Sequence, residues 1–232
     1  MPTNSLQSIT SETPVLYSFR RCPYAMRARM VLLASGQKIE LRDVLLKDKP
    51  AHMIAMSPKA TVPVLILETG QVLEESLDIM MWAILANDPL NLYPADSAAQ
   101  NAINILIAEN DGPFKTSLDR YKYHIRFPES SRDEYRAEGE KFLQKLETLL
   151  KSQTYLMGED ASLADMAIFP FIRQFANSDR DWFDKADYPA LQKWLRYWVS
   201  SESYLHIMKK RPIWSDDVVP CYFPDLILVD GK

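Results

Sequence analysis

The strongest constraint on the fold is a change of pattern along this chain of 232 residues. From residue 14 to about residue 87, short apolar runs alternate with segments of helical periodicity. Beyond Ser97 only the helical pattern continues, for example in Tyr135, Gly139, Phe142, Leu146 and Leu149. Alternating strands and helices predict an α/β layer, whereas a purely helical pattern predicts packed helices. We therefore expect an α/β domain followed by an all-helical domain.

Local signals divide the first half into seven elements. Pro23 favours the first turn of a helix, and Gly36 is typical of a helix end. Thr69 and Gly70 predict a tight turn between two strands. The predicted order is β-α-β-α-β-β-α, with one parallel and one antiparallel half, over residues 15–19, 23–36, 39–45, 50–56, 63–67, 71–73 and 75–86.

Two prolines and two asparagines near Asp88 predict a linker at residues 89–96. We expect a first domain at 14–88, a helical domain at 97–212, and tails at 1–13 and 213–232. The second tail contains the apolar run Leu226–Val229 and receives no role. Ser162 and Asp165 form a predicted capping box at a helix start, and Pro170 predicts a kink or local break in that helix.

The composition is 47% hydrophobic and 25% charged, which is typical of a globular protein. A net charge of −4 disfavours nucleic acid as a partner. Two cysteines cannot form a disulfide framework and indicate a reducing compartment. Residues 1–13 contain no lysine or arginine, and no apolar run approaches membrane-spanning length, so we expect a cytoplasmic protein without a membrane segment. The three histidines are too dispersed to predict a metal site.

Cys22 stands between a predicted strand and a predicted helix. Unpaired backbone N–H groups and the helix dipole favour a thiolate at such a position. The fourth residue of the motif is Ala25, so no second thiol is available nearby, and an external thiol must resolve any mixed disulfide. The alternative is that Cys22 is a small buried apolar residue.

Two further motifs suggest a binding site. A cis peptide bond before Pro63 would expose the backbone of Val62 to an extended peptide ligand, although a trans proline starting a strand is equally compatible with the sequence. Glu75 and Ser76 begin a predicted helix and would suit an amino-acid head group. The alternative for Ser76 is an ordinary helix N-cap.

Taken in order, these residues resemble the cytosolic glutathione transferase superfamily. The similarity is greatest to its cysteine-type members, the omega class and related bacterial enzymes with a Cys-Pro-aromatic-Ala motif. It extends over residues 14–90 and 97–212. The motifs that carry it are the segments 19–25, 47–50, 61–65 and 75–76 and the capping box at 162–165.

The resemblance implies a thioredoxin-like first domain and a homodimer. It also implies that Cys22 forms a mixed disulfide with glutathione, the co-substrate. The residues implied to hold glutathione are Lys49 at the glycyl carboxylate, Val62 and cis Pro63 at the cysteinyl backbone, and Glu75 and Ser76 at the γ-glutamyl end. Aromatic residues that would line a pocket for the second substrate are Tyr24, Tyr121 and Tyr123.

The first functional hypothesis is a glutathione-dependent thiol transferase or reductase that acts on a small electrophilic or disulfide substrate. Its reactions would be deglutathionylation and the reduction of glutathionyl adducts or dehydroascorbate. The second is conjugation of glutathione to an electrophile, for which Ser18 is the nearest hydroxyl. The third is a non-catalytic module for binding or assembly, since a fold does not fix a function.

Overall fold

A computed structural model describes residues 12–225. It confirms the expected class: a small mixed sheet with helices, followed by a helical region. The sheet has five strands in the order β4-β3-β1-β2-β5. They are β1 Val15–Ser18, β2 Ile39–Asp43, β3 Val64–Ile66, β4 Val72–Leu73 and β5 Tyr222–Phe223. β1 and β2 are parallel, while the other pairs are antiparallel.

Three helices accompany the sheet: α1 Pro23–Ala34, α2 Ala51–Met56 and α3 Ser76–Ala86. The helical region contains α4 Ser97–Glu109, α5 Lys115–Lys122, α6 Arg132–Leu150, α7 Leu163–Ala176, α8 Arg180–Lys185, α9 Pro189–Ser200 and α10 Glu202–Ile207. A π-helical turn at Asn110–Phe114 joins α4 to α5, and it contains Pro113, which cannot donate a helical hydrogen bond.

Helix α1 is the central element because it packs against both α3 and α7. Pro23 occupies its first turn, and Gly36 follows its end with φ of 67°, a conformation that glycine adopts without strain. Arg27 and Arg29 lie off the apolar stripe of the sequence, yet they are only 2% and 1% exposed. Neighbouring helices cover both sides of α1, so its polar side is buried as well.

The capping box at the start of α7 is present. Asp165 is fully buried and accepts hydrogen bonds from the Ser162 N–H at 2.9 Å and the Trp194 indole N–H at 2.8 Å. Of the kink or local break predicted at Pro170, the break does not occur, since α7 runs through this residue as one helix. Almost every side chain of α7 is buried, and this packing stabilises the helix despite the missing donor.

The C-terminal segment 213–225, for which the sequence predicts no role, packs on the sheet. The Trp214 N–H donates to the Asp43 carbonyl at 2.8 Å, and β5 pairs with β2. Phe223 is fully buried. Residues 1–11 of the predicted N-terminal tail and the apolar run at 226–229 lie outside the described residues.

Candidate active site

Cys22 is the N-cap residue of α1, with extended backbone angles of φ −70° and ψ 125°. Its carbonyl accepts the first helical hydrogen bond, from the Met26 N–H at 2.8 Å. Its side chain does not cap the helix; instead the thiol points to the Val62 carbonyl, with Sγ 3.6 Å from the oxygen. The sulfur therefore lies at the positive end of the α1 dipole, where negative charge is stabilised.

The Val62-Pro63 peptide bond is cis, as the first of the two readings of this motif predicts. Val62 is half-buried, and β3 begins at the residue after Pro63. The loop thus brings a backbone carbonyl against the thiol of Cys22. The same loop is positioned to offer backbone groups to an extended ligand.

Glu75 and Ser76 form the start of α3, but their roles differ from the N-cap alternative. Glu75 is the N-cap residue, is exposed, and forms an ion pair with Lys59. Ser76 is the first helical residue and is 3% exposed. Its hydroxyl accepts a hydrogen bond from Arg27 Nε at 3.0 Å, which leaves its own proton free to be donated.

Arg27 links the start of α3 to the helical region. Besides Ser76, it binds both carboxylate oxygens of Asp111 at 2.8 Å, and its guanidinium carbon lies 5.1 Å from the ring centre of Tyr24. The sequence does not predict this link. Arg27 and Asp111 belong to different domains, and no local spacing connects them.

Lys49 lies in the loop between β2 and α2 and is half-buried. It forms no ion pair with any carboxylate within residues 12–225. Its ammonium group therefore remains available to an external anion. Its assignment to the glycyl carboxylate stays a prediction.

A cleft of about 690 Å³ opens beside Cys22. Its walls are the start of α1, helix α5 and the end of α7. Tyr24 and Tyr123 line it, as the predicted second-substrate pocket requires. Tyr121 does not: it is fully buried, with its ring centre 4.9 Å from that of Phe175, so it belongs to the core of the helical region.

The cleft also contains Arg21, which directly precedes Cys22, and four charged residues for which the sequence predicted no role: Lys115, Asp119, Lys122 and Arg173. Lys115, Asp119 and Lys122 recur at helical spacing on α5, so a signal for one shared face existed. Arg173 comes from a distant helix, and no sequence pattern relates it to α5.

Burial, together with the nearby Asp111 carboxylate, raises the pKa of Tyr24 to about 12. Its phenol is therefore protonated at neutral pH and can donate a hydrogen bond inside the cleft. The hydroxyl of Ser18, by contrast, is fully buried and accepts from Arg29 Nη1. Burial lowers the pKa of Arg29 to about 10, so this arginine keeps its charge.

Neither a membrane-spanning helix nor a metal-binding cluster occurs in residues 12–225. No helix in this range is both long enough and apolar enough to span a bilayer. The same range contains no group of three or more histidine, cysteine, aspartate or glutamate side chains arranged to hold a metal ion.

Together, the fold and the site define a thioredoxin-like domain with a cysteine at a helix N-terminus, joined to a helical domain. Family models match both parts: "Glutathione S-transferase, N-terminal domain" over residues 16–91 and "Glutathione S-transferase, C-terminal domain" over residues 129–196. The chain belongs to the glutathione transferase superfamily.

Relatives and solved structures agree with this assignment. A probable maleylacetoacetate isomerase of Caenorhabditis elegans is 28% identical over 195 residues, which cover 80% of this chain and 88% of that protein. Glutathione S-transferase omega-1 of Sus scrofa is 27% identical over 199 residues, covering 85% and 77%. A glutathione S-transferase structure from Methylobacillus flagellatus, solved with glutathione bound, superposes with a TM-score of 0.75 at 22% identity. The superposition covers 84% of this chain and 98% of that chain, so it supports the fold.

Proposed function

We propose that this protein is a glutathione-dependent thiol transferase or reductase that acts through a Cys22–glutathione mixed disulfide. The observation that carries the proposal is the position of the Cys22 sulfur. It lies at the N-terminus of α1, 3.6 Å from the Val62 carbonyl, and borders an open cleft. A thiolate there is stabilised by the helix and accessible to a substrate.

Glutathione would bind as an extended peptide beside the Val62-Pro63 loop. The Val62 N–H and C=O would pair with its cysteinyl backbone. The Ser76 hydroxyl and the N-terminus of α3 would bind the γ-glutamyl carboxylate. Glu75 would bind the γ-glutamyl ammonium group in competition with Lys59, and Lys49 would bind the glycyl carboxylate. Two structures of similar fold, from Methylobacillus flagellatus and Pseudomonas fluorescens, were solved with glutathione bound, which supports glutathione as the ligand.

The reaction would proceed in two exchanges. In the first, the Cys22 thiolate attacks the glutathionyl sulfur of a mixed disulfide. The Cys22–glutathione disulfide forms, and the substrate leaves as a thiolate that takes up a proton. In the second, a glutathione thiolate attacks this disulfide, which yields oxidised glutathione and restores Cys22. With a glutathionyl ketone the first leaving group is an enolate, which is protonated to the reduced ketone. Each cycle consumes one added glutathione and reduces the substrate by two electrons.

The second exchange needs an external thiol because residues 12–225 offer no resolving partner for Cys22. Ala25 occupies the position of a second motif cysteine. Cys221 lies beside β2, accepts from Arg211 Nη1 at 3.0 Å, and is not among the residues that line the cleft. A single-thiol cycle with glutathione is therefore the form of chemistry that suits this site.

A mass measurement tests the proposal directly. The protein would be incubated with oxidised glutathione, and its intact mass would be compared with those of Cys22→Ala and Cys221→Ala. We expect one glutathione on the wild type and on Cys221→Ala, none on Cys22→Ala, and its removal by reduced glutathione. A wild type that gains no adduct, and that binds no glutathione in calorimetry, would instead indicate the non-catalytic binding or assembly module.

Glutathione conjugation is the second candidate, and the protonated phenol of Tyr24 favours it. A hydroxyl donor in the cleft can stabilise a glutathione thiolate. Ser18 is unsuited to this task because its hydroxyl is buried and bound to Arg29. Conjugation by Cys22→Ala protein that is lost in Cys22→Ala/Tyr24→Phe protein would support this candidate; no conjugation by either would exclude it.

A further inference from the structure

The cleft beside Cys22 has the opposite charge to the chain as a whole. The chain carries a net charge of −4. The cleft is lined by four cationic side chains, Arg21, Lys115, Lys122 and Arg173, and by one carboxylate, Asp119. A concave surface with an excess of one charge concentrates ligands of the opposite charge.

Three of these cations lack an acidic partner within the described chain. Lys115 and Asp119 form an ion pair and offset each other. Arg21, Lys122 and Arg173 make no ion pair with any carboxylate in residues 12–225. Each lies instead over an aromatic ring, at 5.8 Å from Phe19, 4.8 Å from Tyr123 and 5.6 Å from Tyr204, respectively.

Helix dipoles account for only part of this arrangement. Lys122 and Arg173 lie in the last turns of α5 and α7, where unpaired carbonyls favour a cation. Arg21 directly precedes the N-cap residue Cys22, so it lies near the positive end of α1, where a cation is disfavoured. The α1 dipole therefore does not account for Arg21, whose exposed side chain lines the cleft.

These cations are also separate from the groups proposed to hold glutathione. The side chains of Lys49, Glu75 and Ser76 and the Val62-Pro63 loop do not line the cleft. Apolar and aromatic groups do, namely Phe19, Tyr24, Leu46 and Tyr123. The cleft therefore combines an apolar wall with positive charge that glutathione itself does not use.

On the basis of the proposed function, we propose that the second substrate is an anion, with a carboxylate or sulfonate on an aromatic or apolar body. Arg21, Lys122 and Arg173 attract and orient the anionic group. The aromatic wall holds the body of the substrate, and the reacting sulfur meets Cys22 at the edge of the cleft. These three residues thus determine specificity and are distinct from the thiol that reacts.

The first test compares two matched thioethers, S-phenacylglutathione and S-(4-carboxyphenacyl)glutathione. We expect kcat/KM to be about tenfold higher for the carboxylate, from several partly exposed ion pairs. In the triple variant Arg21→Gln/Lys122→Gln/Arg173→Gln, the ratio of the two kcat/KM values falls towards one. For the wild type, the ratio falls in the same way in about 0.5 M salt. Arg196→Gln, an exposed cation of α9 outside the cleft, keeps the wild-type ratio. Equal rates on both substrates, or a ratio that the triple variant leaves intact, would overturn the proposal.

The second test does not depend on turnover. Fluorescence titrations would compare an anionic probe, 1-anilinonaphthalene-8-sulfonate, with its neutral counterpart, N-phenyl-1-naphthylamine. We expect the triple variant to weaken the sulfonate about tenfold and to leave the neutral probe within twofold; an equal effect on both probes contradicts the inference. Calorimetry with glutathione on Cys22→Ala separates the two proposals: failure to bind glutathione removes the proposed function, while the probes still report the charge preference of the cleft.

Discussion

Arg27 and Asp111 form a two-pronged ion pair between the two domains, with both N–O distances at 2.8 Å. Arg27 is 2% exposed and belongs to α1, whereas Asp111 belongs to the π-helical turn that follows α4. The same guanidinium binds the Ser76 hydroxyl. Through Arg27, the helical region therefore helps to position Ser76, a residue of the proposed glutathione-binding site.

We expect Asp111→Asn to destabilise the protein by about 2 kcal/mol, because it leaves a buried guanidinium without its counter-ion and with one of the two acceptor oxygens. The partial exposure of Asp111 keeps this below the cost of breaking a fully buried pair. Urea unfolding would measure the change. Glu138→Gln, which removes the exposed pair with Lys141, should cost under about 1 kcal/mol. Equal losses of unfolding free energy in the two variants would show that the Arg27–Asp111 pair stabilises the protein no more than an exposed pair does.

The substitution Gly139→Ala should destabilise the helical region. A Cβ at this position would lie 2.5 Å from Cε2 of Phe175, which is too close for any real contact. We expect a cost of about 1–3 kcal/mol from overpacking, reduced by up to about 1 kcal/mol of helix propensity. Gly112→Ala is the matched control because its Cβ would meet no atom within 4 Å. Thermal unfolding should rank Gly139→Ala below wild type and Gly112→Ala at or above it.

Ser18 and Cys22 should separate stability from chemistry. Ser18→Ala leaves a buried donor of Arg29 unpaired, so we expect a loss of about 1–3 kcal/mol with thiol transfer retained. Cys22→Ser should lower thiol transfer by at least about a hundredfold, since a serine hydroxyl is not a thiolate nucleophile, with little change in stability. Turnover of a glutathionyl mixed disulfide and urea unfolding would be measured on both. Loss of activity in Ser18→Ala at full stability would reverse the assignment.

His52 should make the folded protein sensitive to mild acid. Arg42 Nη1 donates to the Tyr17 hydroxyl at 2.7 Å, and this hydroxyl shares a hydrogen bond with Nδ1 of His52 at 2.8 Å. Burial, with Arg42 as the next cause, lowers the pKa of His52. In the doubly protonated ring Nδ1 cannot accept from Tyr17, and the imidazolium would be a second cation beside Arg42.

The sign of the pH effect follows from this lowered pKa. In the unfolded chain the pKa of His52 is near its ordinary value of about 6.5, whereas in the folded protein its pKa is lower. The stabilisation is complete above about pH 6.5 and is lost as the pH falls through the window below it. We expect the urea midpoint of wild type to drop between pH 7.5 and 5.5 by more than that of His52→Gln. The same drop in both proteins would contradict this role.

Local signals in the sequence predicted most of the elements around the site. Pro23 and Gly36 bound α1, and the Val62-Pro63 and Glu75-Ser76 motifs lie where β3 and α3 begin. Each of these signals depends only on residues that are close together in the chain, so the sequence alone contains it. Tyr121 shows the limit: its ring packs on Phe175 in the core of the helical region, and its type gives no sign that it differs from Tyr123, which lines the cleft.

The remaining features depend on contacts between distant segments. Tertiary packing forms the buried hydrogen bond from Arg29 to Ser18 and the ion pair between Arg27 and Asp111. In the sequence, nothing distinguishes these two arginines from arginines on a solvated surface. The positive cleft likewise brings Arg21, Lys122 and Arg173 together from three elements. No spacing along the chain encodes that meeting.

Strand β5 changes what the sheet offers to other protein chains. Tyr222 and Phe223 occupy the free side of β2, and the Leu41 N–H is bound by the Cys221 carbonyl at 2.7 Å. Without them, β2 would present unpaired backbone groups at the edge of the sheet, to which another strand could pair. A proteolytic cut between α10 and Trp214 would therefore detach the strand that covers β2 and leave this edge of the sheet open to another strand.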